Sequence, residues 1–225
     1  MKKLMIWDFD GVIADSEKLW VQCWDEILVK EKNIKLTDLE KQNLLVGVSD
    51  KTRKERLETL IPNLKLDDDF IKKISDMEVY MGTNFMTAIP GVEDVMKNNN
   101  FEHCIATGAT KEQHEWKMTQ FKWIEKYMTS KDFFTVDMVE HGKPAPDLFL
   151  LAAKTKNYSS ENCIVIGDSV NDFIAAKSAN MKCIAFIGAT GNNNKEYRKV
   201  CEQHNVDAIC ENMEEVNKFI SGLQN

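Results

Sequence analysis

Four apolar residues, Leu4-Met5-Ile6-Trp7, run straight into Asp8-Phe9-Asp10-Gly11, and this junction constrains the fold more than any other part of the chain. A short continuous apolar run bounded by a turn signal reads as a buried parallel strand. Open α/β sheets bind ligands just beyond the carboxyl ends of such strands, so the two acids stand where chemistry is expected. Strand alternation sends Asp8 and Asp10 to the same side of the chain, and Gly11 lets the backbone turn at φ values that a Cβ resists. Such a pair suits a hard cation, with one carboxylate acting as a covalent nucleophile while its neighbour handles a proton. The same residues also describe a plain turn that ends a strand, because Asp and Gly are common turn formers.

After Asp15-Ser16, an N-cap signal, residues Leu19, Trp20, Cys23, Trp24, Ile27 and Leu28 recur at helical spacing as far as about Lys32. Further helical segments are predicted over 37–45, 50–60 and 67–81, with no strand standing out between Asp15 and Asn84. Successive helices of this kind read as a separate bundle over 15–87, inserted into a core made of 1–14 and 88–225. The breaker pair Pro90-Gly91 opens a helix over 92–97. From there strands (103–106, 133–136, 163–166, 183–186, 207–209) alternate with helices (111–121, 147–156, 171–178, 195–204, 214–220). The alternation predicts an α/β fold with a doubly wound parallel sheet. Hinges are expected near Asp15 and over 83–90, where the bundle would open for substrate and close against bulk water.

Hydrophobic residues make up 43% of the 225, with a formal net charge of -7. This is the composition of a globular chain, and its acidity argues against nucleic acid or an anionic membrane surface as partner. An anionic substrate then needs local positive groups and a metal to hold it. The six cysteines include no C-x-x-C pair and no zinc-like spacing, so buried reduced thiols are expected. The apolar run before Asp8 is too short for a signal peptide, and no stretch approaches the ~20 apolar residues that span a bilayer. The expected location is the cytoplasm, and the chain is taken as a monomer.

The opening theme returns at Ile164-Val165-Ile166-Gly167-Asp168, an apolar run ending in Gly and an acid, with Asp172 one helical turn further on. That spacing can set Asp168 on a cation and Asp172 behind it, supporting a ligand or water. The bland reading makes Asp168 a helix cap and Asp172 a first-turn acid. A third run, Cys104-Ile105-Ala106, ends at Thr107-Gly108-Ala109-Thr110 ahead of a helix, where a hydroxyl and backbone N–H groups offer a phosphate site. Read singly, Thr107 is a plain cap. Lys143, in Gly142-Lys143-Pro144-Ala145-Pro146-Asp147, reads singly as an exposed lysine on a turn; the alternative is that, held by two prolines beside several carboxylates, it neutralises phosphate charge and keeps the nucleophile oriented.

In order and spacing, D-F-D-G-V-I-A-D-S from Asp8, A-T-G from Ala106, G-K-P-A-P-D from Gly142 and G-D-S-V-N-D from Gly167 resemble the four motifs of the haloacid dehalogenase-like hydrolase superfamily. The helical insert resembles the cap of its phosphoglycolate phosphatase and β-phosphoglucomutase branch. The resemblance implies a Rossmann-like core with an inserted α-helical cap, and a phosphatase that works through an aspartyl-phosphate. It implies Asp8 as nucleophile and Asp10 as the acid/base that also reaches the phosphoryl group. Thr107, the Gly108 amide and Lys143 would grip that group. Mg²⁺ would be held by the carboxylates of Asp8 and Asp168 and the backbone carbonyl of Asp10, with Asp172 behind. Phosphoryl transfer needs mainly positioning and charge stabilisation, which this set provides.

Asp10 argues for phosphate over carbon–halogen chemistry, because the family's dehalogenases lack an Asp two places after the nucleophile. Hydrolysis of a small phosphorylated metabolite is the leading reading. A hexose phosphate phosphomutase is the alternative, although Trp20 stands where that branch has a histidine and Asp50 where it has a phosphate-gripping arginine. A non-catalytic, metal-dependent phospho-acceptor signalling protein is the third. Trp20 and Ser49 are candidate substrate contacts, although Trp20 and Trp24 at helical spacing more often form bundle core. The run Lys51, Arg53, Lys54, Arg56 reads as a solvated helix face.

Overall fold

The fold is described from a computed structural model over residues 2–46, 48–189 and 195–223. The chain divides into two compact units, one made of Met1–Asp15 and Thr87–Asn225, the other of Ser16–Met86.

The first unit is built on a six-stranded sheet, in the order β5-β4-β1-β6-β7-β8. The strands are β1 (Lys3–Trp7), β4 (Phe101–Ala106), β5 (Phe133–Phe134), β6 (Cys163–Gly167), β7 (Lys182–Phe186) and β8 (Ala208–Cys210), and every pairing is parallel. Parallel strands are covered on both faces, which is why their sequences are unbroken apolar runs. Leu4, Met5, Ile6 and Trp7 accordingly show no exposed surface. Helices α5 (Val92–Met96), α6 (Lys111–Met118), α7 (Asp147–Thr155), α8 (Val170–Ser178), α9 (Lys195–Gln203) and α10 (Met213–Gly222) alternate with the strands. Leu148, Phe149, Ala152 and Phe173 from α7 and α8 join Leu4, Ile6, Val165 and Cys183 in the main apolar core.

Because β1 lies between β4 and β6, the chain reverses its direction of travel across the sheet there, creating a crevice at the carboxyl ends of these strands. Trp7 pairs with Ile105 on one side and Ile166 on the other, so the three strand ends are level.

The sequence reading shows no sign of β2 (Ala14–Asp15) and β3 (Thr87–Ala88), which pair antiparallel as a two-residue ribbon at the start and end of the insert. Two residues are too few to show a period of two. Strand β5 stops after Phe134, and the next residues, Val136–Met138, wind into a 3-10 turn. Helix α6 ends at Met118, three residues short of the predicted end, and the chain continues through a turn in which the Phe121 amide bonds the Met118 carbonyl at 3.1 Å.

The second unit is a bundle of α1 (Glu17–Lys32), α2 (Asp38–Leu44), α3 (Asp50–Leu60) and α4 (Asp68–Phe85). Caps set the starts of three of these helices: Thr37 and Glu40 form a capping box on α2, Ser49 accepts from the Thr52 amide on α3, and Asp67 accepts from the Phe70 amide on α4. Trp24, Ile27 and Leu28 of α1 and Phe70 and Ile74 of α4 belong to one buried cluster with Leu57 of α3. All six cysteines are free and buried, and burial pushes their thiols up, away from reactivity. Among the described residues, no helix is long and apolar enough to cross a membrane.

Candidate active site

The site begins where β1 stops. The Asp8 amide bonds the Ile166 carbonyl at 2.9 Å, and the Phe9 carbonyl then accepts from the amides of Ile13 and Ala14 at 2.9 and 3.0 Å, closing a tight turn. Gly11 sits in that turn with φ near +75°, and a Cβ there would lie 2.0 Å from an Asp168 carboxylate oxygen. Gly11 thus serves both the turn and the close approach of the acid from β6.

One residue beyond Gly167, Asp168 is buried, and its carbonyl accepts from the Tyr197 hydroxyl of α9 at 2.5 Å. Helix α8 is capped by Ser169, whose side chain accepts from the Asp172 amide, while the Asp172 carboxylate accepts from the Ser169 amide and hydroxyl at 3.2 and 2.5 Å. Asp172 therefore is a first-turn acid and at the same time belongs to the cluster. Its Cβ packs where any side chain at Gly167 would lie, 2.3 Å from an added Cβ. Carboxylate oxygens of Asp8, Asp168 and Asp172 all lie within 4.8 Å of one another.

Lys143 reaches into this cluster from the turn before α7. Its ammonium bridges Asp8 Oδ1 at 2.8 Å and Asp172 Oδ1 at 2.7 Å, lies 5.0 Å from the centre of the Phe149 ring, and is buried. Burial works against that charge, but Asp172 and Asp8 outweigh it and hold Lys143 above the ordinary lysine range. Burial pushes the Asp8 carboxyl up to about 7, with Lys143 pulling it back down and Asp172 adding to the push. Asp8 and Asp172 thus share one ammonium, and with Asp168 they make an all-oxygen donor set. That set fits a hard divalent cation.

Asp10 turns elsewhere. Its Oδ2 accepts from Lys117 of α6 at 2.6 Å, and the Lys117 ammonium lies 5.9 Å from the centre of the Phe9 ring. The two acids of the opening motif therefore fork, one toward Lys143 and the other toward Lys117.

At the end of β4, Thr107 is buried, and its hydroxyl accepts from the Ala109 amide at 3.1 Å. Gly108 is exposed in the same turn. The amino end of α6 is already occupied: Thr110 and Gln113 form a capping box, and the Lys111 amide bonds Asp137 at 2.7 Å. These bonds take the amides of Thr110, Lys111 and Gln113 at that helix end.

In the helical unit, Trp24 lies in the bundle core and donates to Asp50 at 2.9 Å. Trp20 is buried, outside that cluster, and the Ser49 hydroxyl caps α3. Arg53 overturns the reading of its charge run as a solvated face. Only 3% exposed, it donates to the Leu45 carbonyl at 2.7 Å, Asp50 at 2.9 Å and Glu17 at 3.2 Å. Sequence reasoning also passed over Lys117 and Tyr197. A signal for Lys117 exists: α6 reads Lys-Glu-Gln-His-Glu-Trp-Lys-Met, too poor in apolar residues to cover a sheet, so polar side chains must occupy its inner face.

A sequence model of the haloacid dehalogenase-like hydrolases matches residues 5–186. YhcW of Bacillus subtilis, provisionally named a phosphatase, is 32% identical over 186 residues, 82% of this chain and 83% of that protein. A phosphorylated carbohydrates phosphatase of Thermotoga maritima is 25% identical over 197 residues, 85% of this chain and 88% of that one. Among solved structures, the haloacid dehalogenase-like ATU0790 of Agrobacterium tumefaciens superposes with a TM-score of 0.85 at 20% identity, covering 100% of both chains. CbbY of Rhodobacter sphaeroides, in complex with phosphate, gives 0.77 at 21% identity over 94% of this chain and 95% of that one. These two likenesses speak to the fold.

Proposed function

The chain belongs to the haloacid dehalogenase-like hydrolases and is a phosphomonoester hydrolase, and from that premise we propose that it hydrolyses a small phosphorylated metabolite, with Mg²⁺, in the cytoplasm. The observation that carries the reading is the ammonium of Lys143 shared between Asp8 and Asp172 at the level strand ends, with Asp168 in reach. A sugar phosphate is the favoured substrate class, supported by the Thermotoga maritima relative named for phosphorylated carbohydrates.

In this proposal Lys143 holds one oxygen of Asp8 and aims the carboxylate at phosphorus. An Asp8 oxygen bonds to phosphorus as the bond to the leaving oxygen breaks, and Asp10 gives that oxygen its proton. Asp10 then takes a proton from water while the water oxygen attacks phosphorus and the bond to Asp8 breaks, releasing phosphate. The Thr107 hydroxyl, the Gly108 amide and Lys143 hold the phosphoryl oxygens throughout. The carboxylates of Asp8 and Asp168 and the Asp10 carbonyl would hold Mg²⁺, with Asp172 behind them. When bound, the ion neutralises charge on the carboxylates and the phosphoryl oxygens.

Phosphate release from p-nitrophenyl phosphate and from a panel of sugar phosphates tests this. Release is expected with Mg²⁺ and is expected to vanish with chelator and in Asp8→Asn. Undiminished turnover by Asp8→Asn would overturn the reading, and isomerisation of a hexose phosphate with little net release would replace it with a mutase.

A further inference from the structure

We propose that Lys117 is a positioning residue for the reaction: anchored on α6, it pins one oxygen of the Asp10 carboxylate so that the other meets the leaving group. This rests on Asp10 acting as the acid/base in the function proposed above.

The inference starts from the cost of the arrangement. An ammonium taken out of water loses several kcal/mol of solvation, and an ion pair recovers this only with good geometry. The side chain of Lys117 is 8% exposed and reaches Asp10 at 2.6 Å across 107 residues of sequence. Stability alone does not call for such a group, because a buried ion pair is often matched or bettered by apolar residues of similar volume. The surroundings hold the lysine on a narrow track. Phe9 lies beneath its ammonium, and that ring stands edge-on to both Phe121 and His114 at 5.2 and 5.6 Å between centres.

His114, one turn before Lys117 on the same helix, is buried with neither ring nitrogen hydrogen-bonded. Burial, followed by the nearby Lys117 charge, pushes its pKa down to about 4. The imidazole is therefore neutral at physiological pH, and the charge that α6 turns toward Asp10 is that of Lys117. A carboxylate on a single bond from Cβ to Cγ has a broad, nearly two-fold torsion, so one short ion pair fixes which oxygen points where. Asp10 is a quarter exposed at its side chain.

Proton donation matters little for a leaving group as acidic as p-nitrophenol and much for an alcohol, which gives the test. Lys117→Met is expected to lower kcat on glycerol phosphate about tenfold or more while KM stays within about twofold, with a much smaller loss on p-nitrophenyl phosphate. Asp10→Asn with Lys117→Met is expected to be no slower than Asp10→Asn alone, because both remove the same act. Lys117→Arg, which keeps a cation, serves if Lys117→Met fails to fold and is expected to preserve the ratio between the two substrates. Equal losses on both substrates, a loss confined to KM, or additive losses in the double variant would overturn the proposal. Asp8→Asn separates the two levels. If it is inactive while Lys117→Met matches the parent on both substrates, only the role of Lys117 falls; if it is fully active, the phosphatase chemistry falls with it.

Discussion

Arg53 in the helical unit and Lys143 in the sheet unit are both buried among carboxylates, and the two are closed in opposite ways. Arg53 in the helical unit spends its planar fork on three separate acceptors, the Leu45 carbonyl, Asp50 and Glu17, and Asp50 also takes the Trp24 indole. Its hydrogen bonds join α1, α3 and the turn after α2. Lys143 in the sheet unit is a point charge between Asp8 and Asp172, and the carboxylates around it converge on one another. Guanidinium geometry suits a finished structural joint, whereas a lysine leaves neighbouring oxygens able to take a further cation or a phosphoryl group. Burial of a charge thus says little about its purpose, and the way its partners are satisfied says much.

The sharpest way to break this comparison is to remove each cation. Lys143→Met is expected to lower phosphatase turnover about 10³-fold, with amide exchange across Ser16–Met86 unchanged. Exchange that rises throughout both units would merge the two roles. Arg53→Met is expected to cost about 3–5 kcal/mol, because it takes the guanidinium away from the buried Glu17 carboxylate. The loss should appear as faster exchange in α1 and α3, while the folded fraction keeps its turnover on p-nitrophenyl phosphate.

A smaller effect sharpens the contrast between charged and neutral burial. Burial pushes His103, which accepts from the Trp7 indole at 3.1 Å, and His114 down to about 4. In the unfolded chain each imidazole titrates near 6.5, so it takes up a proton between about 6.5 and 4 that the fold refuses. Their contribution is fully present above that window and is lost as pH falls through it, by roughly 2 kcal/mol per histidine at pH 5. Urea unfolding at pH 7.5 and 5 should show this, and His114→Leu should remove about half of the histidine part. The smallest effect belongs to an open pair. Lys72→Ala, which breaks a 2.7 Å bridge to Asp76 between side chains 71% and 66% exposed, should leave the urea midpoint unmoved.

Most of the fold was legible because the periods are strong. The runs at Leu4, Cys104, Ile164 and Cys183 read as covered strands, and Leu19 through Leu28 carry the turn of a helix on their apolar positions. The same holds for the grouping of Asp8, Asp168, Asp172 and Lys143, since each follows a strand or stands in a proline-bound turn just before a helix. What escaped was decided by distant partners. Lys117 and Asp10 lie 107 residues apart, and Arg53 and Glu17 lie 36 apart. No local pattern distinguishes Arg53 from a solvated neighbour such as Lys51, and the polar make-up of α6 marks its inner face without singling out Lys117. The capped start of α6 is a different case, because Thr110 and Gln113 stand in the sequence at the spacing of a capping box.

The two-residue ribbon of Ala14–Asp15 against Thr87–Ala88 brings the chain's departure from the sheet unit and its return side by side. A segment spliced in through one such doorway can lengthen, shorten or be exchanged without shifting the register of Leu4 with Cys163 or of Trp7 with Ile105. Selection can therefore rewrite the inserted helices independently of the strand-end chemistry, and a laboratory graft of a foreign bundle at the same two joints should inherit an unaltered sheet.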